Sequence, residues 1–462
     1  MKDDPERARG LITSLSFQAR LELMCQVSAK DKLDLVELAE DRIRLVRALP
    51  KQELFFAVQE LGKEGAIELI ARASLEQINF MLDLDCWKRD EIDLDKVREW
   101  IKTLRECSPR KLLTWLQKAD PELIIYFFKR HIKVVKPDDP SNPDDPAFGG
   151  LPREFYFTLD NQYFIEFIGP AEAQELIYQI LDLIFPVDQH LYFTIMEGVI
   201  WELNMGLEEE ARHWRQARLE DAGFPPLDEA TAIYQYINPD TFNPQVHKKS
   251  LVLSDYAYKD VSVPETTEAI ISSRFYLSPI VKDSFFMESL ANLQADPIFP
   301  LCQQELIVLF NKVLLVEVID FSRMEEVRRA FELGHHYLNI GLEYICGNDV
   351  SKGKEILKEV RWQKIFQLGF SLIRQLQREA KKARSELQRV QPANDPADKA
   401  IRREIARALA GLLKKHPQMY QDKTDEIGRP VYHPLERLEE LRQAEEKLGK
   451  IKKFLSQSVP VP

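Results

Sequence analysis

A short phrase recurs through the first third of this chain and constrains its fold more than any other feature. A small or capping residue comes first, often followed by proline, with apolar residues three to four and six to eight positions further on. It appears as Leu49-Pro50 leading to Leu54 and Val58, and as Ser74-Leu75 leading to Ile78 and Leu82. It returns as Ser108-Pro109 leading to Leu112 and Leu116, and as Asp120-Pro121 leading to Ile124 and Phe128. Ser28-Ala29 ahead of Leu33 and Val36 is a weaker copy, and Gly62 opens a further short helix through Ile67, Leu69 and Ile70. A serine or aspartate accepts hydrogen bonds from the free amides of a helix start, and proline in the first helical position gives up no needed N–H. The apolar spacing lays one stripe along each short helix. Copies return every ~12 or ~25 residues, the length of one helix or one helical hairpin. Spacing becomes irregular around Asp85 to Trp100, so the array is degenerate. No single unit can bury its own stripe, and neighbours must stack.

The fold class expected is therefore all-α, built of degenerate helical-hairpin repeats, with one small β element. Phe155-Tyr156-Phe157-Thr158-Leu159 and Tyr163-Phe164-Ile165-Glu166-Phe167-Ile168 flank a turn at Asp160-Asn161-Gln162 and predict a β-hairpin, to which Ile132–Val135 adds a third strand. Strand is expected mainly there. The organisation reads as a repeat module over 1–135, a Pro/Asp-rich linker over 136–152, a β-hairpin with helices over 153–240, an irregular connection over 241–278 and a helical domain over 279–462. The chain is expected to end in helices around Ile401–Lys415 and Leu435–Leu455.

With 462 residues, 45% hydrophobic and 30% charged, the chain can bury two or three cores. A net charge of −12 opposes whole-surface attraction to nucleic acid or anionic membrane. The five cysteines stand singly, with no C-x-x-C pair, which fits a reducing compartment and offers no zinc spacing. Cys86 and Cys107 lie beside apolar repeats and read as packed thiols. The charged start has no apolar leader, and Leu306 to Ile319 is interrupted by Asn311, Lys312 and Glu317, so it reads as a core helix and not a span. The location expected is cytoplasmic.

Several phrases resemble a bacterial domain-of-unknown-function family: Leu49-Pro50-Lys51-Gln52-Glu53-Leu54-Phe55-Phe56, Ala73-Ser74-Leu75-Glu76-Gln77-Ile78, Leu82-Asp83-Leu84-Asp85-Cys86-Trp87, Trp214 through Pro225, and Gly428-Arg429-Pro430. That resemblance implies no activity, cofactor or catalytic residue. The repeats are also similar to the helical repeats of MgtE-type magnesium transporter N-domains and of flagellar motor switch proteins, modules of regulation and subunit contact. The channel itself has no counterpart here.

No metalloprotease, nucleophile-elbow, Walker or dinucleotide phrase is present. The densest polar cluster runs from Glu208 to Asp221, where Glu209 and His213 share a helical face. With Arg218 and Asp221 they form the candidate catalytic set, read against the alternative of a solvated helix with local ion pairs. Glu332 and His336 also share a face and are the candidate metal ligands, read against a capping or interface role. The aspartates of the linker read as a solvated spacer, since they lack the spacing of a calcium loop. Basic residues outnumber acidic ones across 352–415, where Arg374, Arg378, Lys381 and Lys382 fall on neighbouring turns. The leading expectation is a non-enzymatic interaction or regulatory protein with a protein partner. The alternatives are an enzyme with an inter-domain site near Glu209/His213/Arg218, and nucleic-acid association through 352–415. Cofactors and oligomeric state are not legible in the sequence.

Overall fold

The computed structural model describes residues 5–139, 142, 145–150, 155–158, 160–249, 284–389 and 396–457. Among these the chain is mainly α, with twenty-one α-helices and three small antiparallel sheets of two or three strands. The described residues gather into two compact units. The first holds 5–225 with Val318–Glu326, and the second holds 226–249, 284–317 and 327–457.

In the first unit α1 (Pro5–Ser14), α2 (Phe17–Gln26), α3 (Ala29–Leu38), α4 (Arg42–Ala48), α5 (Lys51–Leu61), α6 (Ile67–Arg72), α7 (Leu75–Asp85) and α8 (Leu94–Cys107) follow in close succession. Each packs on the helix two places ahead: α1 on α3, α2 on α4, α3 on α5, and so on to α6 on α8. Every apolar stripe is thus covered by a later copy, which is why such short helices hold. Leu82, Leu112 and Phe128 are buried at equivalent late stripe positions, while Glu76 and Arg110 face water and Lys51 is half-buried. Ser28 and Ser108 cap their helices, and Ser74 forms a reciprocal capping box with Gln77. Asp120 departs from this pattern and makes no cap hydrogen bond.

The irregular stretch after Asp85 is a hairpin that the sequence reading did not anticipate. Its strands are β1 (Trp87–Lys88) and β2 (Glu91–Ile92), and it turns through Arg89 at a φ of 59°. Next come α9 (Pro109–Leu116), α10 (Pro121–Lys129) and the sheet of β3 (Ile132–Val135), β4 (Tyr156–Phe157) and β5 (Phe164–Phe167), in the order β3-β5-β4. This is the expected aromatic hairpin with its third strand. Helices α11 (Ala171–Ile184), α12 (Gln189–Trp201) and α13 (Asn204–Asp221) complete the unit, and α10 packs on both α12 and α13.

The second unit comprises α14 (Leu227–Thr231), α15 (Phe285–Ala291), α16 (Phe299–Glu317), most of α17 (Met324–Cys346), α18 (Val350–Glu359), α19 (Trp362–Arg389), α20 (Pro396–Leu412), strands β6 (Gln418–Thr424) and β7 (Pro430–Pro434), and α21 (Leu438–Gln457). Length and composition alone would let α16 cross a membrane, but half of its apolar window is buried. Its interior also holds Asn311 and Lys312, whose Nζ lies 2.9 Å from Glu229. The antiparallel pairing of β6 with β7, centred on Tyr420 opposite Tyr432, puts strand where only a connection between terminal helices was expected. From residue 250 onward, the expected irregular connection lies outside the described residues.

Candidate functional site

Two of the phrases quoted above, Leu82–Trp87 and Trp214–Pro225, are far apart in sequence and meet in the first unit. At the end of α7, Asp83 is buried and accepts from Arg218 Nε at 2.7 Å and Nη2 at 2.8 Å. Arg218 also donates through Nη1 to Asp120 Oδ1 at 2.8 Å, so the aspartate expected to cap α10 serves α13 instead. One turn earlier on α13, Arg215 donates to the backbone oxygens of Asp83 at 2.7 Å and Arg89 at 3.1 Å. Its guanidinium lies 4.9 Å from the centre of the Trp87 ring. Two residues past Asp83, buried Asp85 accepts from Lys63 and Lys96, each at 3.0 Å, and from the Trp100 indole at 2.8 Å. Lys96 reaches on to Asp320 at 2.6 Å.

Burial raises the Asp83 carboxyl despite Arg218, while Arg218 itself is raised because Asp83 and Asp120 outweigh the cost of burying it. The two parallel N–H···O contacts are those of an ionised pair. Burial likewise works against the charges of Lys63 and Lys96, yet their carboxylate partners leave both above the ordinary lysine value. Burial pushes Asp320 up, but Lys96 and Ser322 more than reverse it, to about 2. A general acid or base works best with a pKa near ambient pH. Asp320 and the two lysines are held far from it, and the hydrogen bonds of Arg215 and Arg218 tie α13 to the end of α7, to the β1–β2 turn and to the residue ahead of α10.

The other end of α13 forms a corner with α12. Trp201, Leu203 and Met205 are 75%, 77% and 80% exposed, although they follow one another within five residues of a helix end and a helix start. The corner is ordered by its own bonds: the Trp201 indole donates to Glu197 at 3.0 Å, and Leu207 N donates to Leu203 O at 3.1 Å. Val187, at 61% exposure, lies just ahead of α12. Glu202, between Trp201 and Leu203, and Glu209 and Glu210, a turn further along α13, are exposed as well. Sequence reasoning missed this surface because an apolar residue at a helix end reads as core. Its one signal was Trp-Glu-Leu-Asn-Met, where apolar residues alternate with polar ones inside a helical context.

The residues singled out from sequence are placed as follows. Glu209 and His213 share the outer face of α13, with Glu209 3.8 Å from Arg212 and the His213 ring 5.8 Å from that of Trp214. Asp221 is exposed at the end of the helix, whereas Arg218 points inward to Asp83. In the second unit Glu332 is half-buried, and buried His336 lies 3.6 Å from Glu436. No group of three or more His, Cys, Asp or Glu side chains suited to a metal occurs among the described residues. Cys86 is buried with its thiol pushed well up by burial, and half-buried Cys107 is pushed up to about 11 for the same reason.

A family model described as "Family of unknown function (DUF6178)" matches residues 10–456, and the chain belongs to that family. No curated protein and no solved structure matches it.

Proposed function

We propose that this member of the DUF6178 family is a non-enzymatic intracellular interaction protein, that its contact surface is the α12–α13 corner, and that its partner is a basic amphipathic protein segment. The observation that carries the reading is the exposure of Trp201, Leu203 and Met205 on a corner ordered by its own hydrogen bonds. Tryptophan and methionine are enriched in protein contact surfaces, and a rigid patch loses little entropy on binding. Glu202 within it, with Glu209 and Glu210 a turn further along α13, selects a basic partner by charge complementarity. The two-row stack supports this reading, since such arrays present extended surfaces. The five free cysteines suit a reducing compartment.

The test is titration of the full chain with a synthetic amphipathic helical peptide bearing leucines on one face and lysines on the other, followed by calorimetry. Saturable binding is expected, weakened ~10-fold or more by Leu203→Ser with Met205→Ser, and also weakened by Glu202→Lys with Glu209→Lys. Ile427→Ser, at an equally exposed apolar site on the β6–β7 turn, should leave it unchanged. Binding that ignores the corner substitutions, or that follows Ile427 instead, would refute the assignment.

A further inference from the structure

We infer that the second unit carries a binding site for a small polyphosphate anion, formed by Arg374 and Arg378 of α19 with Lys414 just beyond α20. The inference is independent of the corner proposed above. It rests on how the cations of this region are partnered. Lys382 and Lys452 pair with Glu379, Arg402 with Asp398, Arg407 with Glu404, and Lys415 with Glu317. Arg374, Arg378 and Lys414 are exposed beside them, and among the described residues none makes a carboxylate ion pair. Each is laid on an aromatic ring instead: Arg374 5.7 Å from the centre of Phe370, Arg378 4.4 Å from Tyr236, and Lys414 3.8 Å from Tyr432.

Hydrogen bonds fix Arg374, Lys414 and the ring beneath Arg378, and Gln377 ties α19 to the backbone at Lys414. Gln377 accepts from Arg374 Nη1 and donates to Lys414 O at 2.7 Å, while Lys414 Nζ donates to Gln418 at 2.6 Å. Gln375 donates to the Tyr236 hydroxyl at 3.1 Å and so fixes the ring beneath Arg378. A cation on a ring face keeps its N–H donors for another acceptor, and two arginines one turn apart repel each other unless an anion lies between them. The planar guanidinium fork matches a phosphate in two parallel hydrogen bonds. The footprint also sets the ligand size. Two arginines whose Cβ atoms lie about 6 Å apart, with a lysine at the next helix end, suit two or three linked phosphates, and the overall charge of −12 opposes a long polyanion.

Full-length protein titrated with inorganic triphosphate at about 0.15 M salt tests this by calorimetry, with metal-free ATP and a single-stranded RNA oligonucleotide as further arms. Saturable triphosphate binding is expected, lowered ~10-fold or more by Arg374→Gln, by Arg378→Gln and by Lys414→Gln. Lys399→Gln with Arg403→Gln, equally basic and exposed on α20, should leave it unchanged. ATP binding tighter than triphosphate would identify a nucleotide as the source of the phosphates, and equal binding would show that the phosphates alone are recognised. Either outcome supports the site. The three cations are exposed, so the unliganded variants should keep the wild-type circular dichroism spectrum. The inference is overturned by no saturable heat at millimolar triphosphate, by equal losses in the Lys399/Arg403 control, or by RNA binding tighter than triphosphate.

Discussion

Replacing Gly341 by alanine and, separately, Gly449 by alanine should change stability in opposite directions, although both glycines lie inside helices. At Gly341 a Cβ would stand 2.0 Å from the Ile365 carbonyl oxygen on α19, and at its counterpart Gly369 it would stand 1.9 Å from Tyr337 O on α17. Ordinary contact begins near 3.4 Å, so the helices would have to separate by more than 1 Å, against backbone that cannot rotate away. A gap of 0.5–1 Å already forfeits roughly a quarter to a half of the dispersion well for each contact. Buried Leu338, Leu342, Ile365 and Phe366 lie at this crossing. Overpacking of this kind costs about 1–3 kcal/mol and sometimes more. The upper end applies here, because the clash is with backbone. The gain in helix propensity returns at most about 1 kcal/mol, leaving Gly341→Ala destabilised by roughly 2 kcal/mol or more. Nothing lies within 4 Å of a Cβ at Gly449 on α21, so Gly449→Ala keeps only the propensity gain, up to about 1 kcal/mol. Urea unfolding followed by circular dichroism reads both variants. A Gly341→Ala midpoint at or above wild type, or shifts of the same sign at the two glycines, would refute the close-crossing argument.

Burial holds His336 down at about 3, below its ordinary 6.5, so the unfolded chain binds the extra proton between those values. Its contribution is complete above about pH 6.5 and is lost as pH falls toward 3. At about 1.4 kcal/mol per unit this amounts to roughly 5 kcal/mol at most, and stability measured from pH 7 to pH 4 should fall less steeply in His336→Gln than in wild type. Lys32 and Glu53 are both 1% exposed, with their charged atoms 3.3 Å apart. Lys32→Met alone should therefore cost about 3–5 kcal/mol by stranding a buried carboxylate, whereas Lys32→Met with Glu53→Leu should recover most of it in chemical unfolding. Leu112→Ala should cost about 2–5 kcal/mol and Arg110→Ala under about 0.5. Equal unfolding midpoints for these two would contradict the repeat reading.

The stacked repeats were legible because their signals are local. Ser74, Ser108 and the prolines at 109 and 121 fix where helices begin, and the spacing of Leu82, Leu112 and Phe128 fixes which side is covered. The aromatic alternation from 155 to 168 was legible for the same reason. The β6–β7 hairpin was not, since Gln418–Thr424 has little apolar alternation and its pairing rests on Tyr420 meeting Tyr432 across a turn at Gly428. Arg218 was singled out, but grouped with Glu209, His213 and Asp221 along its own helix. Its actual partners, Asp83 and Asp120, lie 135 and 98 residues away.

By itself, the sequence determined the helical class, the succession of short capped helices and the aromatic strands, because capping, proline placement and apolar period act within a few residues of one another. Only the tertiary structure decided that Asp120 serves Arg218 and not its own helix, and that Gly341 meets Gly369. It also decided that Trp201, Leu203 and Met205 face outward. Each of these depends on the approach of segments distant in the chain. No local rule separates an apolar residue that a neighbour will cover from one that it will leave in water.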